Sequence, residues 1–319
     1  MRLFTDLAEL PAELAPSAVT VGKFDGVHRG HRWLLSRLVD EASSRGLKPV
    51  AVTFDRHPLS LITPGIEPEP ITSLAQKIDL LGKTGLRSTI VLPFDDQLAS
   101  MSAESFVRDL LVGALQMKLI VVGQDFRFGA KGEGDVVLLR ELAAPYGFEI
   151  VIADDEMAED ERSHAERRAS STWVRELLAA GNVRAAAEVL GHNHSVTGEV
   201  VHGAKRGREL GFPTANLSPE LEGLIPADGV YAGWFRGGET SAPAAISIGN
   251  NPTFDGVPRK QVEAHLIGET VDLYGLVAEV EFVERIRGME KFDSIEALKE
   301  RMALDVDEAA ETLGGSYVV

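Results

Sequence analysis

From Ser17 to Asp154 the chain alternates between short β-branched runs and longer segments of helical period. "SAVTVG", "PVAVTF", "STIVLPF", "KLIVVG" and "FEIVIAD" read as strands; "HRWLLSRLVDEASSRG", "SLAQKIDLLGKTG", "AESFVRDLLVGAL" and "GDVVLLRELAAPYG" read as helices between them. In the first helix Leu34, Leu35, Leu38, Val39 and Ala42 share a face, and Gly46 is the stop signal. Such alternation predicts a parallel sheet with helices on both faces, because parallel neighbours need a long crossover and crossovers are right-handed. In a doubly wound sheet of this kind, ligands sit at the carboxyl ends of the strands.

The rhythm breaks at "DDEMAEDERSHAERR" (Asp154–Arg168), which reads as a solvated, mobile loop. Two short helical patterns follow, "STWVRELLAAG" and "NVRAAAEVLG". After Gly191 the segments "HSVTGEVVHG", "DGVYAGWF", "APAAISIG", "KQVEAHLIG" and "LVAEVEFVERI" are strand-like and separated by Gly, Pro and Asn turns, which predicts a small antiparallel barrel. An amphipathic helix, "SIEALKERMALDVDEAAETLG", closes the pattern, with Ser294 and Ala297 forming only part of a capping box. The reading is therefore two domains, 1–190 and 191–319, in a chain of 319 residues.

Composition removes several classes. The formal net charge of −17 argues against a nucleic-acid partner while leaving room for a local basic pocket. The absence of cysteine excludes disulfides, thiolate zinc sites and cysteine nucleophiles. "MRLFTDLAELPAELAP" carries Asp6 and Glu9 and does not resemble a secretory signal. No run approaches the roughly 20 apolar residues of a membrane span. The expectation is a soluble, cytoplasmic protein whose oligomeric state is open, a homo-oligomer included.

"KFDGVHRGHRWLL" (Lys23–Leu35) places His28 and His31 beside Gly26, Gly30 and Asp25, between the first of these strands and its helix. Three readings compete. A zinc site would need a third and fourth ligand that no histidine supplies in an obvious position. Plain turn-making accounts for the glycines and leaves both imidazoles idle. Phosphate handling accounts for all of it: glycines let the backbone approach a ligand, the helix start offers free N–H groups and a positive dipole end, and imidazoles donate hydrogen bonds as charge develops. In "RRASSTWVREL", Ser170, Ser171 and Thr172 stand at another helix start with Arg175 one turn on, which is either an ordinary N-cap or a second anion site.

Gly22–His31 ("GKFDGVHRGH") with "SSTWVR" resembles the nucleotidyltransferase superfamily that carries an HxGH signature. "VTFDRHP" (Val52–Pro58) and "VVGQDFRFG" (Val121–Gly129) are similar to its flavin-adenylylating branch. In the second half "GRELGFPTANL" (Gly207–Leu217), "PADGVYAG" (Pro226–Gly233), "SIGNNPTF" (Ser247–Phe254), "VEAHL" (Val262–Leu266) and "DLYG" (Asp272–Gly275) resemble riboflavin kinase. The whole chain is thus similar to the prokaryotic bifunctional riboflavin kinase/FAD synthetase family. The resemblance implies a Rossmann-like α/β domain followed by an antiparallel β-barrel. It also implies two reactions: phosphorylation of riboflavin to FMN with ATP and Mg²⁺, then adenylyl transfer from ATP to FMN. The substrates are then the small molecules riboflavin, FMN and ATP.

For the adenylyl site the resemblance implies ATP contacts from Gly22, Phe24, Asp25, Gly26, His28, Gly30, His31, Ser170, Ser171, Thr172 and Arg175, and FMN contacts from Phe54, Asp125 and Phe128. His28 and His31 would stabilise the α-phosphoryl charge. For the kinase site, "VHGAKRGRELG" (Val201–Gly211) is a basic glycine-rich loop without the P-loop order, able to cover phosphates or merely to form a surface hairpin. Gly203, Lys205, Gly207, Gly211, Phe212, Pro213, Thr214 and Asn216 are its expected ATP contacts. The Thr214 hydroxyl and the Asn216 amide oxygen are hard donors suited to Mg²⁺. If Val262 and Ala264 face the core, strand alternation turns Glu263 outward, to solvent or a cleft. The resemblance makes Glu263 the base for the ribityl hydroxyl, and it places Arg287 and Phe292 at the isoalloxazine. Four positions depart from the family pattern and bear on flavin affinity: Arg56 for a common proline, Asp125 for asparagine, Ile62 where an aromatic would stack, and Gly268 for a frequent acid.

Overall fold

A computed structural model describes residues 1–160, 165–203, 210–250, 260–269 and 271–314. They form two compact units, one built from Met1–Glu159 and the stretch ending at Ala169, the other from Ser170 onward.

The first unit is a six-stranded sheet in the order β1-β4-β3-β2-β5-β6, comprising β1 (Arg2–Phe4), β2 (Ser17–Val21), β3 (Lys48–Phe54), β4 (Ser88–Leu92), β5 (Met117–Gly123) and β6 (Glu149–Ala153). Every pairing in it is parallel. Both faces are covered. Ala18, Ala51, Leu119 and Val121 pack against Leu35, Leu38 and Ala42 of helix α1 (Arg29–Arg45), while Val19, Val21, Val50 and Val52 face Phe106, Leu110 and Leu111 on the other side. The expected apolar stripe of α1 is that buried face, and Gly46 ends the helix at φ 68°. From β2 the chain fills the sheet outward through β3 and β4, then crosses to β5 and β6 on the other side of β2. The strand order therefore reverses between β2 and β5. Such a switch point leaves a crevice outside the carboxyl ends, and the stretch beginning at Gly22 leaves β2 there. The edge strand β1 was not read from the sequence.

The charged stretch is not simply a loop. Met157–Asp160 (β7) and Ala165–Arg168 (β8) form a two-stranded sheet. Arg168 pairs with Asp155 at 3.0 Å within the stretch and with Asp125 at 2.9 Å outside it.

The second unit is a closed barrel in the order β10-β13-β12-β11-β14-β9, from β9 (His194–Val201), β10 (Ala215–Leu217), β11 (Gly229–Gly237), β12 (Thr240–Asn250), β13 (Lys260–Leu266) and β14 (Val277–Arg287). Neighbouring strands are antiparallel throughout. Tyr231, Phe235, Ile246, Val262, Ala264, Val280 and Phe282 are buried in it. The closing helix, Ile295–Thr312, seats Val306, Ala309 and Ala310 against Ala232, Ala245 and Ile267, and Ser294 caps it by accepting from the Ala297 N–H at 3.1 Å. Among the described residues no helix is long and apolar enough to cross a membrane.

Two helices that precede Gly191 belong to the barrel unit. Val183–Leu190 packs on β14 and β9. The Arg285 guanidinium donates to the carbonyls of Ala180 (3.2 Å) and Asp228 (2.6 Å), and the Ala227 N–H donates to Leu178 O at 3.0 Å. Gly181, at φ 76°, is where a Cβ would meet Arg285 at 2.8 Å. A fragment starting at Ser170 should therefore unfold about 10 °C higher than one starting at His192, given about 2–3 kcal/mol of buried apolar surface and anchoring bonds. Thermal melts of the two fragments check this; equal midpoints would place those helices outside the cooperative unit.

Candidate active sites

At the first site the backbone is forced into the left-handed region three times within four residues: Phe24 at φ 49°, Gly26 at 75° and Val27 at 40°. For phenylalanine and above all for a β-branched valine this is strained, at a cost of about 1–3 kcal/mol each. The surroundings enforce it. Phe24 and Val27 are fully buried. The Asp25 carboxylate accepts from the N–H groups of Ile71 (3.0 Å) and Thr72 (3.3 Å), and the Gly26 N–H donates to Thr72 Oγ1 at 3.2 Å. Asp25 thus fixes the loop through the neighbouring chain. A side chain at Gly22 would meet the Phe24 ring at 2.9 Å, which accounts for glycine there.

The turn ends in His28, the N-cap of α1, whose Nδ1 accepts from the His31 N–H at 3.4 Å. In a neutral ring that leaves the proton on Nε2. The two imidazoles stack with centroids 3.6 Å apart, and His31 meets the Phe24 ring edge-on at 5.2 Å. A Cβ at Gly30 would lie 3.2 Å from the His28 ring, a tight approach that glycine relieves. Burial, helped by the Arg168 charge, pushes the His28 pKa down to about 4. Burial lowers His31 well below its ordinary value as well, with His28, Lys23, Arg168 and Lys77 adding to it. Both rings are kept neutral by burial and are N–H donors at neutral pH, and the cations beside them favour an anion. The His31 Nδ1 is buried without a partner among the described residues. No group of three or more His, Cys, Asp or Glu side chains gathers for a metal among those residues, and one His28 lone pair is already engaged.

Beside the loop lies a cavity of about 310 Å³ lined by Lys23, Asp25, Phe54, Asp55, Arg56 and Lys77 among others. Phe54 packs edge-to-face on Phe94 at 5.4 Å, and Arg56 pairs with Asp55 at 3.3 Å. Lys77 donates to Phe54 O at 2.9 Å, and burial lowers its pKa. Asp125 is held below the usual carboxylate range by its hydrogen bond from Arg168. Phe128 is a core ring stacked on Phe126 at 5.3 Å, and Ile62 is exposed. Ser170, Ser171, Thr172 and Arg175 fall in the second unit, where the Ser170 Oγ accepts from the Trp173 N–H at 3.3 Å as an N-cap. Arg168 and Lys77 were missed from the sequence, since no local spacing ties either to the histidines.

The second site is a cavity of about 450 Å³ in the barrel unit that gathers Phe212, Thr214, Asn216, Glu263, Arg287 and Phe292. Strand pairing assembles it. Asn216 on β10 lies opposite Glu263 on β13, which lies opposite Ser247 on β12. Val262 and Ala264 are fully buried, so Glu263 turns outward into the cavity, as the alternation predicts. The Thr214 hydroxyl donates to Glu263 Oε2 at 3.3 Å and accepts from Asn216 Nδ2 at 3.1 Å. A Cβ at Gly203 would overlap the Asn216 amide, so glycine makes room for it. Arg287 is paired rather than free: Nε and Nη2 donate to the Asp305 carboxylate at 2.8 and 2.6 Å, and the guanidinium lies 5.7 Å from the Phe292 ring centre. That carboxylate raises the Arg287 pKa further. Sequence reasoning missed Ser247, Gln261, His265 and Asp305, all of which line the cavity. β10 was not read as a strand, because three residues carry no period. Gly211 (φ 94°) and Gly268 (φ 78°) occupy left-handed turn positions, which gives Gly268 a backbone reason for being there. Lys205 and Gly207 lie outside the described residues.

A family model for FAD synthetase matches residues 10–167, and one for riboflavin kinase matches 190–313. The bifunctional riboflavin kinase/FMN adenylyltransferase of Escherichia coli (strain K12) is 39% identical over 97% of this chain and 96% of its own. The chain belongs to the bifunctional riboflavin kinase/FMN adenylyltransferase family. The enzyme of that description from Haemophilus influenzae is 34% identical, over 97% of this chain and 98% of its own. A crystal structure described as a macrolide-efflux protein from Streptococcus pneumoniae matches with a TM-score of 0.81 at 31% identity, covering 96% of this chain and 97% of that one. The α/β unit followed by the barrel is the architecture that the family resemblance implies.

His28 generates a pH prediction. Its ordinary pKa is 6.5 and its folded value about 4, so between these the unfolded chain binds more protons. Its contribution is complete above pH 6.5 and is lost as pH falls towards 4, by about 3 kcal/mol. Denaturant titrations of the parent and His28→Gln at pH 7 and pH 4.5 should show the parent losing more stability by that order. A constant difference would mean that the imidazole is not held neutral by burial.

Proposed function

We propose that each cavity performs one of the family's two transfers. The protein is a transferase that makes FMN from riboflavin and ATP, then FAD from FMN and ATP. The observation that carries the assignment is the cavity in which Asn216 of β10 and Glu263 of β13, paired across the two strands, meet Thr214 just before β10.

In the barrel unit Glu263 takes the proton of the terminal ribityl hydroxyl as its oxygen attacks the γ-phosphorus; the bond to the β-phosphate oxygen breaks and ADP leaves. Positioning matters more than basicity in such a transfer, and a half-buried carboxylate suffices. The donor set, Thr214 Oγ1 and Asn216 Oδ1 beside a carboxylate, fits a hard divalent cation such as Mg²⁺. When bound, that ion supplies charge neutralisation on the phosphates. Thr214 and Asn216 would hold it, while Arg287, fixed by Asp305, and Phe292 border the flavin.

In the first unit an FMN phosphate oxygen attacks the α-phosphorus of ATP and pyrophosphate leaves. FMN already carries the nucleophile, so no covalent enzyme intermediate is needed. His28 and His31, kept neutral, donate to the oxygens on which charge builds, in surroundings made positive by Lys23, Lys77 and Arg168. Both reactions consume ATP, which supports a cytoplasmic setting. The direct test is incubation with riboflavin and MgATP, followed by separation of riboflavin, FMN and FAD over time; a protein that binds riboflavin and forms no FMN would refute the reading.

Two variants divide the activities. Glu263→Gln should lower riboflavin phosphorylation about 10²–10⁴-fold and leave FMN-to-FAD conversion within about threefold. Thr214→Ala should act through Mg²⁺ and be partly rescued by excess Mg²⁺, unlike Glu263→Gln. Initial rates with riboflavin and with FMN across a Mg²⁺ series check both, and equal loss of the two activities in Glu263→Gln would contradict its placement. Conversely, His31→Ala should cost FAD formation about 10²–10³-fold and spare FMN formation; a double His28→Ala/His31→Ala variant within about threefold of the parent in FAD synthesis would remove the phosphate role.

A further inference from the structure

β13 presents Gln261, Glu263 and His265 to the cavity from alternate positions, with Val262 and Ala264 pointing into the core between them. Two of the three grip the same dipeptide on the chain entering β10. Glu263 accepts from the Thr214 hydroxyl at 3.3 Å. His265 Nδ1 lies 2.8 Å from the Pro213 carbonyl oxygen. A carbonyl can only accept, so Nδ1 carries the proton and donates. The ring is also seated edge-on against Phe212 at 5.5 Å. One residue further on, the pairing of Ala215 with Ala264 begins the β10–β13 ladder. Pro213 has no N–H to anchor it, so its carbonyl is the one backbone group through which this residue can be fixed. The Thr214 hydroxyl is therefore oriented from below by Glu263 and Asn216, and its backbone is held from one side by His265.

We propose that His265 is a positioning residue of the kinase site: its Nδ1–H bond to Pro213 sets the turn that presents the Thr214 oxygen beside Glu263. It touches neither the reacting atoms nor the cation in this account, and it rests on the kinase reading above. Its loss should show in how much Mg²⁺ the reaction needs, because Thr214 is the oxygen donor that moves, and much less in the rate at saturating Mg²⁺, because Glu263 remains on its strand.

Three substitutions separate the bond from the packing. Asn carries an N–H close to the Nδ1 position; Phe keeps the ring against Phe212 and has no donor; Ala removes both. The readouts are the Mg²⁺ concentration for half-maximal riboflavin phosphorylation, the rate at saturating Mg²⁺, riboflavin binding by fluorescence quenching, and FMN-to-FAD conversion. A single hydrogen bond of ordinary net worth corresponds to about a threefold to tenfold change. We expect His265→Phe to raise the half-maximal Mg²⁺ concentration about threefold to tenfold while the saturated rate falls less than threefold, with riboflavin binding and FMN-to-FAD conversion kept. We expect His265→Asn to stay near the parent. A His265→Phe protein indistinguishable from the parent, or a His265→Asn protein as impaired as His265→Phe, would overturn the proposal, as would a fall in saturated rate at unchanged Mg²⁺ demand. If His265→Ala fails to fold, the Phe and Asn pair still decides. A parent chain that makes no FMN would overturn the kinase reading and this proposal with it, whereas an active parent with an unaffected His265→Phe would overturn this proposal alone.

Discussion

Backbone pairing in the two sheets decides which side chains remain for chemistry. The parallel sheet of the first unit is covered on both faces, so its strands are mostly apolar and leave contact with a substrate to their ends. Chemistry is confined to the carboxyl edge, and the reversal of strand order between β2 and β5 opens a crevice there. The barrel solves the same constraint differently. Its core is inside, so alternate residues of β13 face outward, and antiparallel pairing with β10 and β12 brings Asn216 and Ser247 level with Glu263. Each site is the part of its sheet that hydrogen bonding and packing leave over.

Charge at the two sites is arranged to opposite ends. In the first unit cations surround two imidazoles that burial already keeps neutral, and the result is a set of N–H donors without charges of their own to desolvate. The overall charge of −17 conceals this local positive field. In the barrel unit the buried Asp305 holds Arg287 by two hydrogen bonds and engages Arg301 at 2.9 Å. A buried pair of that kind adds little net stability, because desolvation offsets most of the attraction. What it does is fix geometry: the closing helix is tied to β14 at the wall of the cavity, and the Arg287 guanidinium is kept near Phe292. Arg285, two residues back on β14, performs the equivalent task for the helix pair preceding β9, through Ala180 and Asp228.

Much of this was legible in the sequence, because it depends on period and on local sterics. The alternation of short β-branched runs with helical stripes gives the parallel sheet, and the change of rhythm after Gly191 gives the barrel. The stretch Gly22–His31 announces its turn because glycine makes room where the Phe24 ring folds back and eases a tight approach where His28 lies over the helix start. Glu263 could be aimed from Val262 and Ala264 alone. By contrast β1 and β10 have three residues each and carry no period to read. The charged run before Ser170 looked solvated because the carboxylates that pair with Arg168 include Asp125, 43 residues earlier, the difference between 168 and 125.

The sequence by itself therefore determined which segments fold as strands and helices, where glycine must stand, and which residues carry donors, acceptors and charge; these follow from side-chain period and from steric limits acting within a few residues. Only the tertiary structure decided that the two histidines are neutral, that Asp25 and Arg287 serve as ties, that the helices before Gly191 pack with the barrel, and that His265 reaches Pro213. Those outcomes depend on burial and on contacts between residues remote in the chain, and neither desolvation nor a partner's position is encoded in any local spacing.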